Sequence, residues 1–248
     1  MQRHLHDHLI AVAALAVIAS LAVGCGERRT SPAANHSSLR QDGVLILGTT
    51  AETPPFSYVD PESGEIVGIE VDIARTAAAK LGCSFETRRM RFENLLFAVK
   101  SGEVDMSASA ISITEPRKRD VDFSIPYAND GGMFLYRAGE RMPTMILAET
   151  MRVAVMEATT YDYYLCSHGI DPVRFDSVVD AFEAVKDQRV DAFLNDGIVV
   201  LAAVEASGGT LAASRMETRE NFGIAVRKDM PQLKAALDEV IREMREAK

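Results

Sequence analysis

Val44-Leu45-Ile46-Leu47 is an unbroken apolar run between Gly43 and Gly48, the pattern of a strand buried on both faces in a parallel sheet. From Ile69 to Leu81 the period lengthens. Val71, Ile73, Ala74, Ala77, Ala78 and Leu81 recur at helical spacing, and Gly82 follows as a stop. A second strand is predicted over Cys83 to Arg89. A second helix is predicted over Phe92 to Ser101, with Leu95, Leu96 and Val99 inward and Gly102 at its end. Val104 to Ala108 reads as a third strand, and Thr114-Glu115-Pro116 opens a short helix with Thr114 as N-cap.

The second half repeats the plan. Strands are predicted over Val153 to Val155, Val173 to Phe175 and Val190 to Leu194. Helices follow from Thr159 or Thr160, from Ser177 and from Ile198, and an amphipathic helix runs from Met230 to Ala247. Two fragments match: Gly102-Glu103-Val104-Asp105-Met106 and Gln188-Arg189-Val190-Asp191-Ala192, each leading from a helix end into a strand through Val-Asp. Alternating strands and helices in two similar halves predict an α/β fold of two lobes with crossover helices. The cleft between them lies at the carboxyl ends of the strands.

The first residues do not belong to this pattern. Leu9 to Val23 is apolar except for Ser20, shorter than the roughly 20 residues a membrane helix needs but suited to a signal-peptide core. It ends Leu21-Ala22-Val23-Gly24-Cys25, which resembles a bacterial lipobox, with Ala22 where leucine is usual. The resemblance implies a signal peptide over residues 1–24, a lipid on Cys25 and a Ser-, Asn- and Pro-containing tether over residues 25–42. His4, His6 and His8 fall in the discarded segment, so no metal site is expected from them.

Composition then narrows the chemistry. Lys and Arg number 27 against 36 Asp and Glu, a net charge of −9 with a pI near 5.1, which excludes a broad phosphate-binding face and hence nucleic acid. Removing residues 1–24 takes away Arg3 and Asp7 and leaves the balance at −9. No phosphate-binding glycine loop occurs, and neither a metal nor a cofactor is expected. Cys83 and Cys166 fall in different halves and are expected as free, mostly buried thiols. His168 is expected at a helix end, near the terminal carbonyls.

Five stretches in order carry a resemblance. They are Gly48-Thr49-Thr50 with Pro54-Pro55-Phe56; Gly68-Ile69-Glu70-Val71-Asp72; Ser112-Ile113-Thr114-Glu115-Pro116-Arg117 leading to Asp122-Phe123-Ser124; Val190-Asp191-Ala192-Phe193-Leu194-Asn195-Asp196; and Phe222-Gly223-Ile224-Ala225-Val226-Arg227. Together these resemble the polar amino-acid-binding proteins of ABC importers, the extracellular solute-binding proteins of family 3. The resemblance implies a two-lobed Venus flytrap of the type II periplasmic binding protein fold. Lobe one would be residues 43–126 with 223–248, lobe two residues 132–217, and the hinge residues 127–131 and 218–222. It also implies a small zwitterion as ligand, an ABC permease as partner and a monomer held at the outer face of a membrane. The chain's end is shorter than the family's usual closing segment.

The resemblance assigns the site residue by residue. Arg117 would pair the ligand's α-carboxylate, because a guanidinium offers two parallel donors to two oxygens. Ser109, Ala110 and the Ser112 hydroxyl would add loop contacts, and the Thr159 and Thr160 amides would complete the anion site at a helix start. Asp196 would accept from the ammonium, although it is equally placed to N-cap the following helix. Phe92 is a candidate to stack on the ligand. Thr50 and Thr53 stand where the family often carries an acidic and an aromatic residue, so a cationic side chain loses its expected partner there and a neutral one is favoured. An enzyme reading competes: cyclohexadienyl dehydratases resemble this chain too, through Phe123-Ser124-Ile125-Pro126-Tyr127 and Asp130-Gly131. They imply a glutamate acid after the lobe-two aspartate, where this chain has Val199 and Val200, leaving Glu157 as the substitute.

Overall fold

The computed structural model describes residues 43–247. The expected signal peptide, tether and Cys25 lie outside the described residues. Lobe one opens with β1 (Val44–Thr49), buried along nearly its whole length, followed by a small antiparallel sheet of β2 (Glu52–Thr53), β3 (Ser57–Val59) and β4 (Ile66–Val67). Next come α1 (Ile69–Lys80), β5 (Ser84–Arg89), α2 (Phe92–Ser101), β6 (Met106–Ser107), α3 (Glu115–Lys118) and β7 (Asp122–Phe123). The chain leaves lobe one on β8 (Ala128–Asp130).

Lobe two runs through β9 (Gly132–Arg137), α4 (Met145–Ala148), β10 (Val153–Met156), α5 (Thr160–Ser167), β11 (Val173–Phe175), α6 (Val178–Lys186), β12 (Ala192–Asp196), α7 (Gly197–Ala206) and β13 (Leu211–Met216). It returns on β14 (Glu220–Phe222) to β15 (Ala225–Val226) and α8 (Pro231–Glu246). The sheets are β5-β1-β6-β15-β7 and β11-β10-β12-β9-β13, and the crossing strands β8 and β14 pair antiparallel. In each sheet three parallel strands carry the crossover helices, a fourth (β15 or β9) runs antiparallel to them, and the edge strand (β7 or β13) pairs antiparallel with the fourth. In lobe one, α1 and α8 share one core, where Val71, Ile73 and Ala77 meet Leu233, Leu237 and Ile241.

The strands expected from Val104 and Val190 begin two residues later, for one shared reason. The amides of Glu103 and Val104 still return to Ala98 O, and those of Arg189 and Val190 to Ala184 O, so these residues close the helix instead of joining a ladder. Gly102 and Gln188 hold the left-handed turn at φ 78° and 59°. Asp105 then accepts from the Ile46 amide at 2.9 Å and Asp191 from the Arg152 amide at 2.7 Å. The repeated Val-Asp is therefore a strand-docking device used once per lobe. Among the described residues Cys83 and Cys166 are free, but Cys166 is exposed on α5, against the expectation of burial, because it faces out toward Arg174, 3.2 Å away.

The crossings are fastened at both ends. The Tyr127 amide bonds Phe222 O, Ile113 N bonds Asn221 O and Gly223 N bonds Ile111 O, which tie one end of the hinge to lobe one. Gly197 N bonds Gly131 O, Glu217 N bonds Gly132 O and Gly132 N bonds the Thr218 hydroxyl, which tie the other end to lobe two.

Candidate functional site

The loop after β6 is braced from below by a buried carboxylate. Ala110 adopts φ 50°, and its amide donates to Glu70 Oε1 at 2.8 Å. The Ser57 hydroxyl donates to Glu70 Oε2 at 2.8 Å, the Tyr127 hydroxyl donates to Oε1, and Thr49 Oγ1 donates onward to Ser57. Glu70 is fully buried, and burial raises its pKa although the three donors pull the other way. The Gly68-Ile69-Glu70 stretch contributes to the family resemblance, but nothing in it marks Glu70 as the support of the site loop.

Thr114 caps α3 by accepting from the Arg117 amide at 3.4 Å, which sets the Arg117 side chain toward lobe two. Its guanidinium donates from Nη1 to Ser112 O at 3.0 Å and from Nη2 across the cleft to Ala158 O at 3.3 Å, and lies 5.7 Å from the centre of the Phe92 ring. Phe92 thus backs the arginine. Burial lowers the Arg117 pKa, opposed first by the nearby Glu220. Beside it, the Thr50 and Ser109 hydroxyls lie 2.6 Å apart.

From lobe two, Thr159 caps α5, accepting from the Asp162 amide at 3.3 Å and donating to Met156 O at 2.8 Å. Asp196 stands at the end of β12, 8% exposed. Its expected alternative role as helix cap is overturned: its side chain makes no cap bond, and Asp130 of β8 takes the Ile198 amide instead at 2.8 Å. Asp196 is left with the Tyr161 hydroxyl at 2.6 Å. Burial first, then the carboxylates Glu220, Asp130 and Glu70, push its pKa up to about 8.

All ten residues assigned to the ligand line one space of about 500 Å³, open mouth included, between the lobes. Glu52, Met156, Tyr161, Val178, Asn195 and Val199 complete its wall. The expectation that this wall lacks an acid changes with Glu52, which reaches it from β2. Its carboxylate is held by Arg89 at 2.6 Å and accepts from the Val178 amide of lobe two at 3.4 Å. The Ser112 hydroxyl, expected to be free for a ligand, donates to Glu220 of the hinge, as does Thr160 Oγ1 at 2.8 Å. Neither Glu52 nor Glu220 belongs to a stretch with a chemical signature, and only tertiary pairing brings them in. Glu157 is exposed and does not line the space.

Two α/β lobes, paired crossing strands and a cleft holding a cross-lobe guanidinium and carboxylate meet a matching sequence profile. That profile, of the bacterial extracellular solute-binding proteins, family 3, covers residues 45–248. The chain belongs to this family. Among family-3 and related chains, the L-cystine-binding protein TcyJ of Escherichia coli is 27% identical over 95% of this chain and 89% of its own length. An L-arginine-binding protein of Pseudomonas aeruginosa is 27% identical over 82% and 83%. The arginine-bound form of a truncated ArgBP from T. maritima superposes with a TM-score of 0.76 and 36% identity, over 82% of this chain and 96% of that one. Among the described residues no helix is long and apolar enough to cross a membrane.

Proposed function

We propose that the protein is the solute-binding component of an ABC importer and takes one free amino acid into the cleft. The observation that carries this reading is the placing of a guanidinium and a carboxyl from opposite lobes: Arg117 from lobe one and Asp196 from lobe two face one space. A zwitterion answers both, its carboxylate on Arg117 and its ammonium on Asp196, and contacts from both lobes favour the closed form over the open one. Thr50, Thr53, Phe92, Ser109, Ala110, Ser112, Thr159 and Thr160 shape the rest of the pocket. The relatives' cystine and arginine support an amino acid as the class of ligand. Binding is favoured over dehydration because Val199 lines the wall where a dehydratase carries its acid and Glu157 faces solvent, while the acids that do line the space, Glu52 and Asp196, are engaged by Arg89 and Tyr161.

The mature protein acts as a monomer on the outer face of the membrane, held by lipid on Cys25, and hands its ligand to a permease. Calorimetric titration against the twenty amino acids and L-cystine tests the binding. One of them is expected to bind in the micromolar range or tighter, and no heat from any of them, with turnover of a cyclohexadienyl acid instead, overturns the reading. Membrane partitioning of Cys25→Ser tests the anchor, and the variant is expected in the soluble fraction.

A further inference from the structure

Glu220 sits in the middle of the crossing. It lies on β14, paired with Asp130 of β8, and its Oε2 accepts hydrogen bonds from Ser112 on the lobe-one loop and from Thr160 at the start of α5 in lobe two. Ser112 is already tied to this strand by a backbone bridge to Phe222, so the Thr160 bond is the one that spans the lobes. Arg117 reaches the same turn of lobe two, through Ala158 O. A cation from lobe one and an anion from the hinge therefore grip the turn at its two ends, Ala158 and Thr160.

Proton counting gives the bond a second consequence. A hydroxyl has one hydrogen to donate. Those of Ser112 and Thr160 both go to Glu220, so toward the cleft these groups offer lone pairs, which repel a carboxylate. We infer that Glu220 is a positioning residue that couples lobe two to the hinge in the closed arrangement and, by taking both hydroxyl protons, leaves Arg117 and backbone amides to hold the ligand's carboxylate. The second clause rests on the amino-acid reading above; the first does not.

The test reads the ligand-free protein before any ligand is added. Small-angle X-ray scattering is compared for wild type, E220A, T160V and the double variant, all dialysed free of small molecules. E220A and T160V are each expected to raise the radius of gyration by the same amount, and the double variant to add nothing. E220Q, which keeps an oxygen for both hydroxyls, is expected to stay near wild type, and T160V alone, set against wild type, decides the coupling if E220A fails to fold. Equal radii throughout overturn the inference, and so does an additive double variant. In titrations with L-glutamine and L-arginine, E220A is expected to weaken whichever binds by about tenfold, through faster release. Tighter binding by E220A would mean that the hydroxyl donors it frees outweigh any loss of fastening, and would overturn the coupling of lobe two to the hinge. A wild type that bound neither would count against the proposed function, while the scattering radii would still decide the coupling of lobe two to the hinge.

Discussion

Each lobe buries a carboxylate near the cleft, Glu70 beneath the lobe-one loop and Asp196 on the wall itself, and the two are finished differently. Glu70 in lobe one has a backbone amide and two hydroxyls around its oxygens. Asp196 in lobe two has the Tyr161 hydroxyl and three other carboxylates near enough to raise its pKa. A buried anion whose lone pairs are filled is a structural part, whereas one left short of donors is a seat for a cation. The same reasoning explains why Asp130 matters: by capping α7 it spares Asp196 from doing so. Burial and a raised pKa do not separate the two acids; donor count does.

The contrast has its largest consequence at Glu70. Glu70→Ala strands the Ala110 amide and two hydroxyls in the interior and is expected to cost about 3 kcal/mol or more in urea unfolding. Asp196→Asn should do the reverse. It replaces a buried carboxyl that is short of donors with a neutral group of the same shape, so unfolding stability at pH 7 stays level, while calorimetry shows ligand affinity falling by roughly a hundredfold, because the ligand's ammonium loses its anionic partner. Loss of stability in Asp196→Asn would erase the distinction.

Protonation separates the two acids further. In the closed cleft the Asp196 pKa is about 8, so at pH 7 it is mostly protonated, and an incoming ammonium must displace that proton. Titrations at pH 7 in buffers of different ionisation enthalpy should show release approaching one proton per ligand. The sign for the ligand-free protein follows from linkage. Between the ordinary 3.8 and about 8 the closed folded state holds a proton that the unfolded chain has lost, so stability falls as pH rises through that window. The buried Glu70 adds to the slope in the same direction.

The smallest expected effect lies in the repeated turn. Gly102 and Gln188 occupy equivalent left-handed positions, but only glycine does so without strain. Gln188→Gly should stabilise lobe two by about 0.5 kcal/mol. Gly102→Ala should destabilise lobe one by about 1 kcal/mol, since its new Cβ also falls 2.8 Å from Arg227 Nη1. Both are read from thermal midpoints.

Much of the scaffold can be read from spacing alone. The helix over Phe92–Ser101 and its Gly102 stop, the cap at Thr114, the helix starts at Thr159 or Thr160 and at Ser177, and the strand over Val173–Phe175 all announce themselves locally. The side chains around the ligand space are reached through resemblance, and those that orient them are not reached at all. Glu70 looks like any acid in a first helical turn, where the helix dipole favours it. Its role depends on Tyr127, 57 positions away, and that of Glu220 on Ser112, 108 positions away. Contacts of that range leave no periodic trace in a single chain.

The fastening of the crossing strands has a mechanical consequence. Apart from the side-chain bonds of Asp130 to Ile198 and of Glu220 to Ser112 and Thr160, fastening to lobe one ends at Tyr127 and Asn221, and fastening to lobe two begins at Gly131 and ends at Thr218. Any swing of the lobes is therefore concentrated in two short opposed spans, 128–130 and 219–220, which act as paired pivot pins between two rigid plates. Core substitutions within a plate alter how long the protein survives, and substitutions in the pins alter how far it swings, so durability and gating can be tuned separately.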